Sequence, residues 1–198
     1  KTIIPFLDEL SIEAKSTQSV NTIYLRENKV IGHNTDIFGF ETSIKNSKYN
    51  LTNKEVLILG AGGVVPSIIF ALNKMKISKI KISNRTKDKA EHLQTLFKNI
   101  EIIEWGEVPN FDMIINATSL GLKKEDKINL DFSLISNNRF FYDVIYNPKE
   151  TNFLFFVKSL GNITSNGKLM FIYQALSSFN IWHELEPDVN ENIIKLLD

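Results

Sequence analysis

The chain has 198 residues, of which 43% are hydrophobic and 23% charged, a composition typical of a soluble globular protein with one large or two small domains. Lys plus Arg and Asp plus Glu both total 23, which argues against nucleic acid and anionic membranes as partners; the absence of cysteine, with only three scattered histidines, argues against disulfides, thiolate chemistry and a metal site. No apolar run approaches the roughly 18 residues that span a bilayer, and the first residues lack the plan of a signal peptide, so we expect a cytoplasmic protein.

The first part of the chain is predicted to combine short helices and strands. A helix is expected within residues 9–15, and two short β-rich runs flank Glu27-Asn28, which indicates a hairpin. The segment Asn34-Thr35-Asp36 precedes apolar residues at helical spacing, so a helix is predicted to begin there.

From Val56 onward, strand and helix patterns alternate. Strands are predicted at V-L-I-L, K-I-K-I-S, I-E-I-I, M-I-I-N and F-F-Y-D-V-I-Y, which begin at residues 56, 79, 100, 113 and 140. Helices are predicted after the first strand, over residues 87–98, in a long amphipathic stretch within 166–182, and near 190–197. This alternation indicates an α/β fold with a Rossmann-like doubly wound parallel sheet.

A glycine-rich turn follows the first of these strands. Gly60 allows a tight turn, Gly62 lets the backbone approach a pyrophosphate, and Gly63 leads into a helix with Pro66 in its first turn. The third glycine of the usual fingerprint would fall at Val65, which departs from the pattern. The alternative is a glycine turn that binds no ligand, but its place between a strand and a helix favours a nucleotide site.

The end of the second strand carries polar and basic residues. An acidic residue there would bind a ribose 2′-hydroxyl, whereas Arg85 suits a 2′-phosphate and can stack on adenine. Asn84 and Thr86 complete the candidate site, and Thr86 is also a candidate helix cap. We therefore expect NADP(H) in preference to NAD(H). The alternative is an ordinary N-cap with solvated basic neighbours.

Six motifs occur along the chain in the order known from one family. They are N-T-D-x-x-G-F from Asn34, L-G-A-G-G-x-x-P-S from Leu59, N-R-T from Asn84, I-N-A-T-S-L-G-L from Ile115, Y-D-V-I-Y-N-P-K-E-T from Tyr142, and N-G-K-L-M-F-I-Y-Q-A from Asn166. Together they make essentially the whole chain resemble shikimate dehydrogenase. That family reduces 3-dehydroshikimate to shikimate with NADPH, which implies the same reaction and ligands here.

The resemblance also implies roles for individual residues. Asp36 corresponds to the catalytic aspartate, and Asn21, Asp36, Tyr146 and Gln174 correspond to substrate-binding groups. The implied cofactor groups are Gly60, Ala61, Gly62 and Gly63 at the pyrophosphate, Asn84, Arg85 and Thr86 at the 2′-phosphate, Asn116, Thr118 and Ser119 along the adenosine–nicotinamide path, and Val144, Gly167 and Met170 beside the nicotinamide.

The implied organisation has three parts. Residues 1–35 would belong to the substrate-binding domain, residues 36–164 would form the NADP-binding Rossmann domain, and residues 165–198 would return as helices to the substrate domain. We expect a monomer or a homodimer.

Several of these residues have simpler structural explanations. The segment Asn34-Thr35-Asp36 is also a good N-cap, and Met170 on an apolar helix face suits a core. A turn would explain Asn21 and Asn116, a solvated or core-bonded amide would explain Gln174, and loop packing would explain Tyr146.

The family's catalytic lysine, which lies in an N-V-T-x-P-[FY]-K motif, has no clear match. Leu7 follows Pro5-Phe6 where the lysine is needed, and the register set by Asp8-Glu9-Leu10 and Asn21 puts it immediately before Lys1, or at Lys1 if one residue is gapped. We therefore expect the first half of the substrate domain to be missing. Residues 1–198 alone are expected to bind NADP(H) but to turn over poorly, because the lysine assists proton transfer.

Two rival functions stay open from the sequence. A quinate/shikimate dehydrogenase that also uses NAD is disfavoured by Arg85 and Thr86. A nucleotide-binding regulatory protein without redox activity is disfavoured by the presence of Asn21, Asp36 and Gln174 together.

Overall fold

The computed structural model describes residues 2–132, 135 and 137–197, and a small three-stranded sheet comes first in the chain. Its strands are β1 (Glu9–Leu10), β2 (Thr22–Arg26) and β3 (Lys29–His33). Strand β3 is central, parallel to β1 and antiparallel to β2. Glu27 and Asn28 between β2 and β3 have φ of 52° and 59°, the left-handed conformation of a two-residue hairpin turn, so the predicted hairpin is confirmed. Helix α1 (Ile12–Thr17) connects β1 to β2.

Six parallel strands form the second, larger sheet. They are β4 (Glu55–Leu59), β5 (Lys79–Ser83), β6 (Ile100–Ile103), β7 (Met113–Asn116), β8 (Phe140–Asp143) and β9 (Ile163–Ser165). Their order across the sheet is β6-β5-β4-β7-β8-β9, and every neighbouring pair is parallel. The chain reverses its direction of travel across the sheet between β4 and β7, so the loops after these strands diverge and leave a crevice. The predicted doubly wound parallel sheet is confirmed.

The larger sheet is buried on both faces. The remaining helices are α2 (Asp36–Ser47), α3 (Val65–Lys74), α4 (Lys87–Leu96), α5 (Asn152–Ser159), α6 (Lys168–His183) and α7 (Glu191–Lys195). On β4, Val56 and Ile58 belong to one core cluster, and Leu57 and Leu59 to another. Because successive side chains of a strand face opposite sides, a strand covered on both faces has a continuous apolar sequence.

Helices α2 and α6 approach each other closely at Gly39. A Cβ on this residue would lie 2.5 Å from the carbonyl oxygen of Met170 and 2.9 Å from Cβ of Gln174. Only a residue without a side chain allows this approach. The contact therefore fixes the start of α2 beside the first half of α6.

Sequence and structure differ mainly at the ends of elements. The pattern predicts a strand over residues 140–146, whereas β8 ends at Asp143, whose side chain accepts a hydrogen bond from the N–H of Ile145 and turns the chain. The helix predicted over residues 87–98 ends at Leu96. The helix expected within residues 9–15 begins only at Ile12, because Glu9 and Leu10 pair with β3 as strand β1. Helix α5, strand β9 and a 3-10 turn at Ile4–Phe6 are also not among the predicted elements.

Strand β9 spans the boundary between residues 164 and 165, and the division into three parts stays a prediction. Lys1 lies outside the described residues. Within the part of the chain that the structure describes, no helix is both long enough and apolar enough to cross a membrane.

Candidate functional site

The crevice between β4 and β7 depends on Gly60, the first residue after β4. Gly60 has a φ of +106°, and a Cβ there would lie 2.7 Å from the carbonyl oxygen of Ala117, which follows β7. Its N–H donates to the carbonyl of Ser83 at the end of β5 (2.8 Å). Glycine is therefore required at this position, and the turn brings the ends of three neighbouring strands together.

The backbone beyond Gly60 is open to a ligand. Gly62 and Gly63 are exposed, and a Cβ on Gly63 would meet no atom of the described residues within 4 Å. Within the same residues, no acceptor takes the N–H groups of Ala61, Gly62 or Gly63. Free N–H groups before a helix, at the positive end of its dipole, are suited to a pyrophosphate. Val65 is fully buried, so the departure from the glycine fingerprint lies on the core side of α3.

A cleft of about 530 Å³ extends from the glycine turn to the ends of β5 and β7. The predicted cofactor residues that line it are Gly60, Ala61, Gly62, Asn84, Arg85, Thr86, Thr118 and Ser119. The lining residues that sequence reasoning missed are Lys89, Trp105, Ala117, Leu120, Lys127 and Asn129. Lys89 lies in the first turn of α4, close in sequence to Arg85, and this proximity could have indicated it. Trp105 and Lys127 come from loops distant in sequence, so no local signal identifies them.

Positive charge is concentrated in this cleft. Arg85, Lys89 and Lys127 are exposed there, and none of them forms an ion pair with another described residue. Asn84 Nδ2 donates to the carbonyl of Thr86 (2.6 Å), which shapes the turn before α4. Thr86 occupies the N-cap position, but its hydroxyl makes no capping hydrogen bond. The free cations and the free hydroxyl suit a phosphate group.

Asn116 is fully buried and acts on the cleft through its neighbours. Its Oδ1 accepts from the N–H and the hydroxyl of Thr118 (3.1 and 2.7 Å). Its Nδ2 donates to the carbonyl of Leu120 (3.0 Å) and to Oδ1 of Asp143 (3.1 Å). These bonds close a turn, as the simpler explanation expects, and they also hold two lining residues, Thr118 and Leu120, in the cleft wall.

A second polar group lies at the start of α2. Oδ1 of Asp36 accepts from Nδ2 of Asn21 (2.8 Å), and among the described residues no donor contacts its Oδ2. Burial raises the pKa of Asp36, and the hydrogen bond from Asn21 offsets part of that rise. The N-cap of α2 is Thr35, whose side chain makes no capping hydrogen bond. The structure therefore brings together two predicted substrate residues around a carboxyl group that binds a proton more readily than usual.

Buried hydroxyl groups support the pair formed by Asn21 and Asp36. Oδ1 of Asn21 accepts from the N–H of Thr35 (2.9 Å) and from the hydroxyl of Thr22 (3.1 Å). The hydroxyl of Ser178 on α6 lies 2.7 Å from that of Thr22 and 3.0 Å from that of Thr35. Sequence reasoning missed Thr22 and Ser178, because 156 residues separate them and neither belongs to a recognisable motif.

Gln174 and Tyr146 both contact Phe171 of α6. The carbonyl of Phe171 accepts from Nε2 of Gln174 (3.0 Å). Its ring stacks on Tyr146, with centroids 4.6 Å apart and planes 25° from parallel. Gln174 also lies against Gly39. Gly39 follows Asp36 on α2 by less than one helical turn. All four predicted substrate residues thus lie on, or in contact with, the packed pair of helices α2 and α6.

The start of α6 packs against the turn after β8. A Cβ on Gly167 would lie 2.0 Å from the carbonyl oxygen of Val144, and the N–H of Gly167 donates to the carbonyl of Ile145 (3.1 Å). Met170 is buried in a core cluster, which fits its simpler explanation as a packing residue. Gly63, Asn116, Val144, Gly167 and Met170 do not line the cleft described above.

The fold and the cleft together define the class of protein. A doubly wound parallel sheet with a glycine turn at its switch point and a basic cleft beside it is a Rossmann-like arrangement. Among the described residues, no group of three or more His, Cys, Asp or Glu is placed to hold a metal ion.

Comparison with known proteins identifies the family within this class. The family model for shikimate / quinate 5-dehydrogenase matches residues 42–143. The shikimate dehydrogenase (NADP(+)) of Pelagibacter ubique (strain HTCC1062) is 62% identical over 198 residues, which cover 100% of this chain and 75% of that protein. The chain belongs to the shikimate dehydrogenase family.

Solved structures of this family share the fold. The crystal structure of shikimate dehydrogenase from Aquifex aeolicus has a TM-score of 0.88 and 35% sequence identity, and the match covers 99% of this chain and 72% of that one. The enzyme from Thermus thermophilus, solved in complex with NADP(H) and shikimate, has a TM-score of 0.87 and 28% identity, with coverage of 99% and 73%.

Proposed function

We propose that this protein reduces 3-dehydroshikimate to shikimate with NADPH, in the biosynthesis of aromatic amino acids. Family membership supports the class of reaction, and the names of its relatives support both ligands. The observation that carries the proposal is the pair of Asn21 and Asp36 at the start of α2, because a carboxyl group with a raised pKa suits acid–base chemistry on a hydroxyl or carbonyl. We propose a cytoplasmic enzyme that acts as a monomer or homodimer.

The basic cleft fits a dinucleotide with a 2′-phosphate. The free N–H groups of Ala61, Gly62 and Gly63 suit the pyrophosphate, and Arg85 with Lys89 suits the 2′-phosphate. When bound, the reduced nicotinamide supplies the hydride. The residues of the protein bind and orient the ligands and handle the proton.

Asp36 is the proposed proton-handling group. With Oδ1 held by Asn21, Oδ2 can accept a hydrogen bond from a substrate hydroxyl, and Tyr146 and Gln174 are proposed to contact the same substrate. The family resemblance pairs Asp36 with a catalytic lysine. The cation of that lysine stabilises negative charge that develops on the carbonyl oxygen.

The reaction is tested by shikimate-dependent reduction of NADP⁺ in the full-length protein, followed by the absorbance of the reduced nicotinamide. We expect Asp36→Asn to lower kcat by about 10²–10⁴, because the proton-handling group is lost, with little change in the dissociation constant for NADP⁺. Asp188→Asn, in the exposed loop before α7, is the control and should change neither quantity. Absence of shikimate oxidation by the wild type contradicts the function, and full activity of Asp36→Asn contradicts the role of that residue.

The cofactor is tested separately. We expect Arg85→Ala to raise the dissociation constant for NADP⁺ by roughly 10–100-fold and that for NAD⁺ much less, because both cofactors share the adenine but only NADP⁺ carries the 2′-phosphate. Arg26→Ala, on β2 and outside the cleft lining, is the matched control. An equal effect of Arg85→Ala on both cofactors contradicts the proposal, and a wild type that prefers NAD⁺ favours the quinate/shikimate alternative.

A further inference from the structure

Asp143 is a buried carboxyl group that the proposed chemistry does not use. It is the last residue of β8, is 0% exposed, and lies in register with Asn116, the last residue of β7. Both residues are at the carboxyl edge of the parallel sheet, directly below the loops that bound the crevice. A buried acid at this edge needs a physical reason, because burial of a charge is costly unless hydrogen bonds compensate it.

Three donors from three segments offset part of the cost of burying the charge of Asp143. Its Oδ1 accepts from the N–H of Ile145 (3.0 Å) and from Nδ2 of Asn116 (3.1 Å). Its Oδ2 accepts from the hydroxyl of Thr151 (2.7 Å), the N-cap of α5. An ionised carboxylate only accepts hydrogen bonds, so it matches a surrounding of donors. An amide of the same shape would turn an NH₂ group toward one of these donors.

Through Asn116, Asp143 holds the wall of the cleft that follows β7. Asn116 bonds Thr118 and Leu120, which both line the cleft. The same loop returns onto the third donor, because a Cβ on Gly121 would lie 3.1 Å from Cγ2 of Thr151. Asp143 thus bonds one end of the loop through Asn116, and the other end passes close to Thr151, which also bonds Asp143.

Through Ile145, Asp143 holds the turn that follows β8. The N–H of Val144 donates to the carbonyl of Asn116 (3.0 Å), and the carbonyl of Ile145 accepts from Gly167 (3.1 Å). This turn leads to Tyr146 and supports the start of α6, which carries Gln174. One carboxylate therefore fixes the cofactor wall relative to the segment that carries the substrate residues.

We propose that Asp143 is a positioning residue of the active site, which keeps the loop after β7 and the turn after β8 in a fixed relation so that cofactor and substrate meet. The inference rests on the proposed function and adds to it the group that sets the geometry of the cleft. Asp143 is fully buried, so it acts through Asn116 and Ile145.

The test compares Asp143→Asn with Asp112→Asn in the full-length protein. Asp112 precedes β7 at the opposite edge of the same sheet, and it accepts from the N–H of Glu55 (2.9 Å), from Lys54 (3.3 Å) and from Arg139 (2.9 Å). Both substitutions remove a carboxylate that binds several donors, but only Asp143 bonds Asn116, the residue that holds Thr118 and Leu120 in the cleft wall. Wild-type binding of NADP⁺ and oxidation of shikimate, measured first, test the proposed function independently.

We expect Asp143→Asn to raise KM and the dissociation constant for NADP⁺ by about tenfold, the size expected for loss of a hydrogen bond to a charged group. Asp112→Asn should leave both within about twofold of the wild type by the same scale. A merely structural loss lowers the fraction of active enzyme, and hence apparent kcat, without changing KM. Unchanged NADP⁺ parameters in Asp143→Asn, or an equal rise in Asp112→Asn, overturns the inference.

A second pair of variants tests the positioning role of Asp143 if Asp143→Asn does not fold. Thr151→Val removes the donor to Oδ2 but keeps the shape of the side chain, whereas Thr151→Ser keeps the hydroxyl. We expect KM for NADP⁺ to rise roughly threefold or more in Thr151→Val and to stay near the wild-type value in Thr151→Ser. Equal values in the two variants overturn the inference.

Discussion

At the scale of single residues, burial and the hydrogen bond from Asn21 together determine the proton affinity of Asp36. Burial raises the pKa of Asp36, and the amide of Asn21 lowers it because the amide favours the charged form. In the proposed reaction Asp36 acts as the base for shikimate oxidation, so kcat/KM should fall as the pH drops through this pKa, at a pH above the ordinary range of an aspartate.

We expect Asn21→Ala to move that acidic limb to higher pH, because the group that favours the carboxylate is removed. The pH profile of kcat/KM for shikimate measures the shift. Asn46→Ala, an exposed amide on the same helix α2, is the control and should leave the limb in place. A limb that stays in place or moves to lower pH in Asn21→Ala contradicts the role assigned to the hydrogen bond.

Some residues of the candidate site were accessible from the sequence because their signals are local. Gly60 follows a strand and Arg85 follows the next, so the parallel topology alone brings them to one edge. Trp105 and Ser178 gave no such signal, since only the folded chain brings them to the site. Asp143 was visible inside a motif, yet its role depends on donors from Asn116 and Thr151, which the sequence does not connect.

At the scale of elements, the contact between α2 and α6 determines how the proposed substrate residues are placed relative to one another. Gly39 leaves no room for a side chain, because its Cβ would lie 2.5 Å from a backbone oxygen of α6. We expect Gly39→Ala to lower the free energy of unfolding by about 1–3 kcal/mol and to lower kcat/KM for shikimate, since the helices must separate. Urea denaturation and steady-state kinetics measure the two effects.

Asn46→Ala again serves as the control, because it adds alanine to an exposed position of the same helix. It should leave stability and kinetics close to those of the wild type. If Gly39→Ala behaves in the same way, the close approach of α2 and α6 does not limit the site.

Elements with strong local patterns were predictable and those without them were not. Strand β4 is buried on both faces and is apolar throughout its last four residues, whereas β9 has only three residues, one of them exposed. Helix α5 lacks a clear apolar stripe because Phe155 and Phe156 are exposed alongside its buried residues. Strand β1 has two residues and exists only through its pairing with β3.

At the scale of the whole molecule, the two edges of the larger sheet carry different kinds of charge network. The carboxyl edge holds Asp143 among uncharged donors, close to the cleft. The opposite edge holds Asp112 with Lys54 and Arg139, and nearby Lys81 pairs with Glu55 (2.6 Å). The first network fixes loops that are proposed to bind the cofactor, and the second joins the ends of strands, so the protonation of the two carboxyl groups should affect the protein differently.

Burial raises the pKa of Asp143 from 3.8 to about 6, against the hydrogen bonds from Ile145, Thr151 and Asn116. The folded state therefore holds this proton where the unfolded state has lost it, and stability falls as the pH rises from about 4 to about 6, by up to about 3 kcal/mol. For Asp112, burial alone would raise the pKa, but the N–H of Glu55 and the cations lower it overall. The stabilisation that ionised Asp112 provides is fully present above the pKa of the unfolded chain, and it is lost as the pH falls through the lower pKa of the folded protein.

These opposite shifts predict how the two asparagine variants respond to pH. As the pH is raised from about 4 to about 6, the wild type loses stability through the titration of Asp143, and Asp143→Asn does not. The free energy of unfolding of Asp143→Asn, measured relative to that of the wild type, should therefore increase over this range. Asp112→Asn should be less stable than the wild type at neutral pH. This difference in the free energy of unfolding should become smaller as the pH falls below about 4, since the wild type then loses the stabilisation that ionised Asp112 provides. Urea denaturation at several pH values measures both differences. Differences that do not change with pH contradict the assignment of these titrations to Asp143 and Asp112.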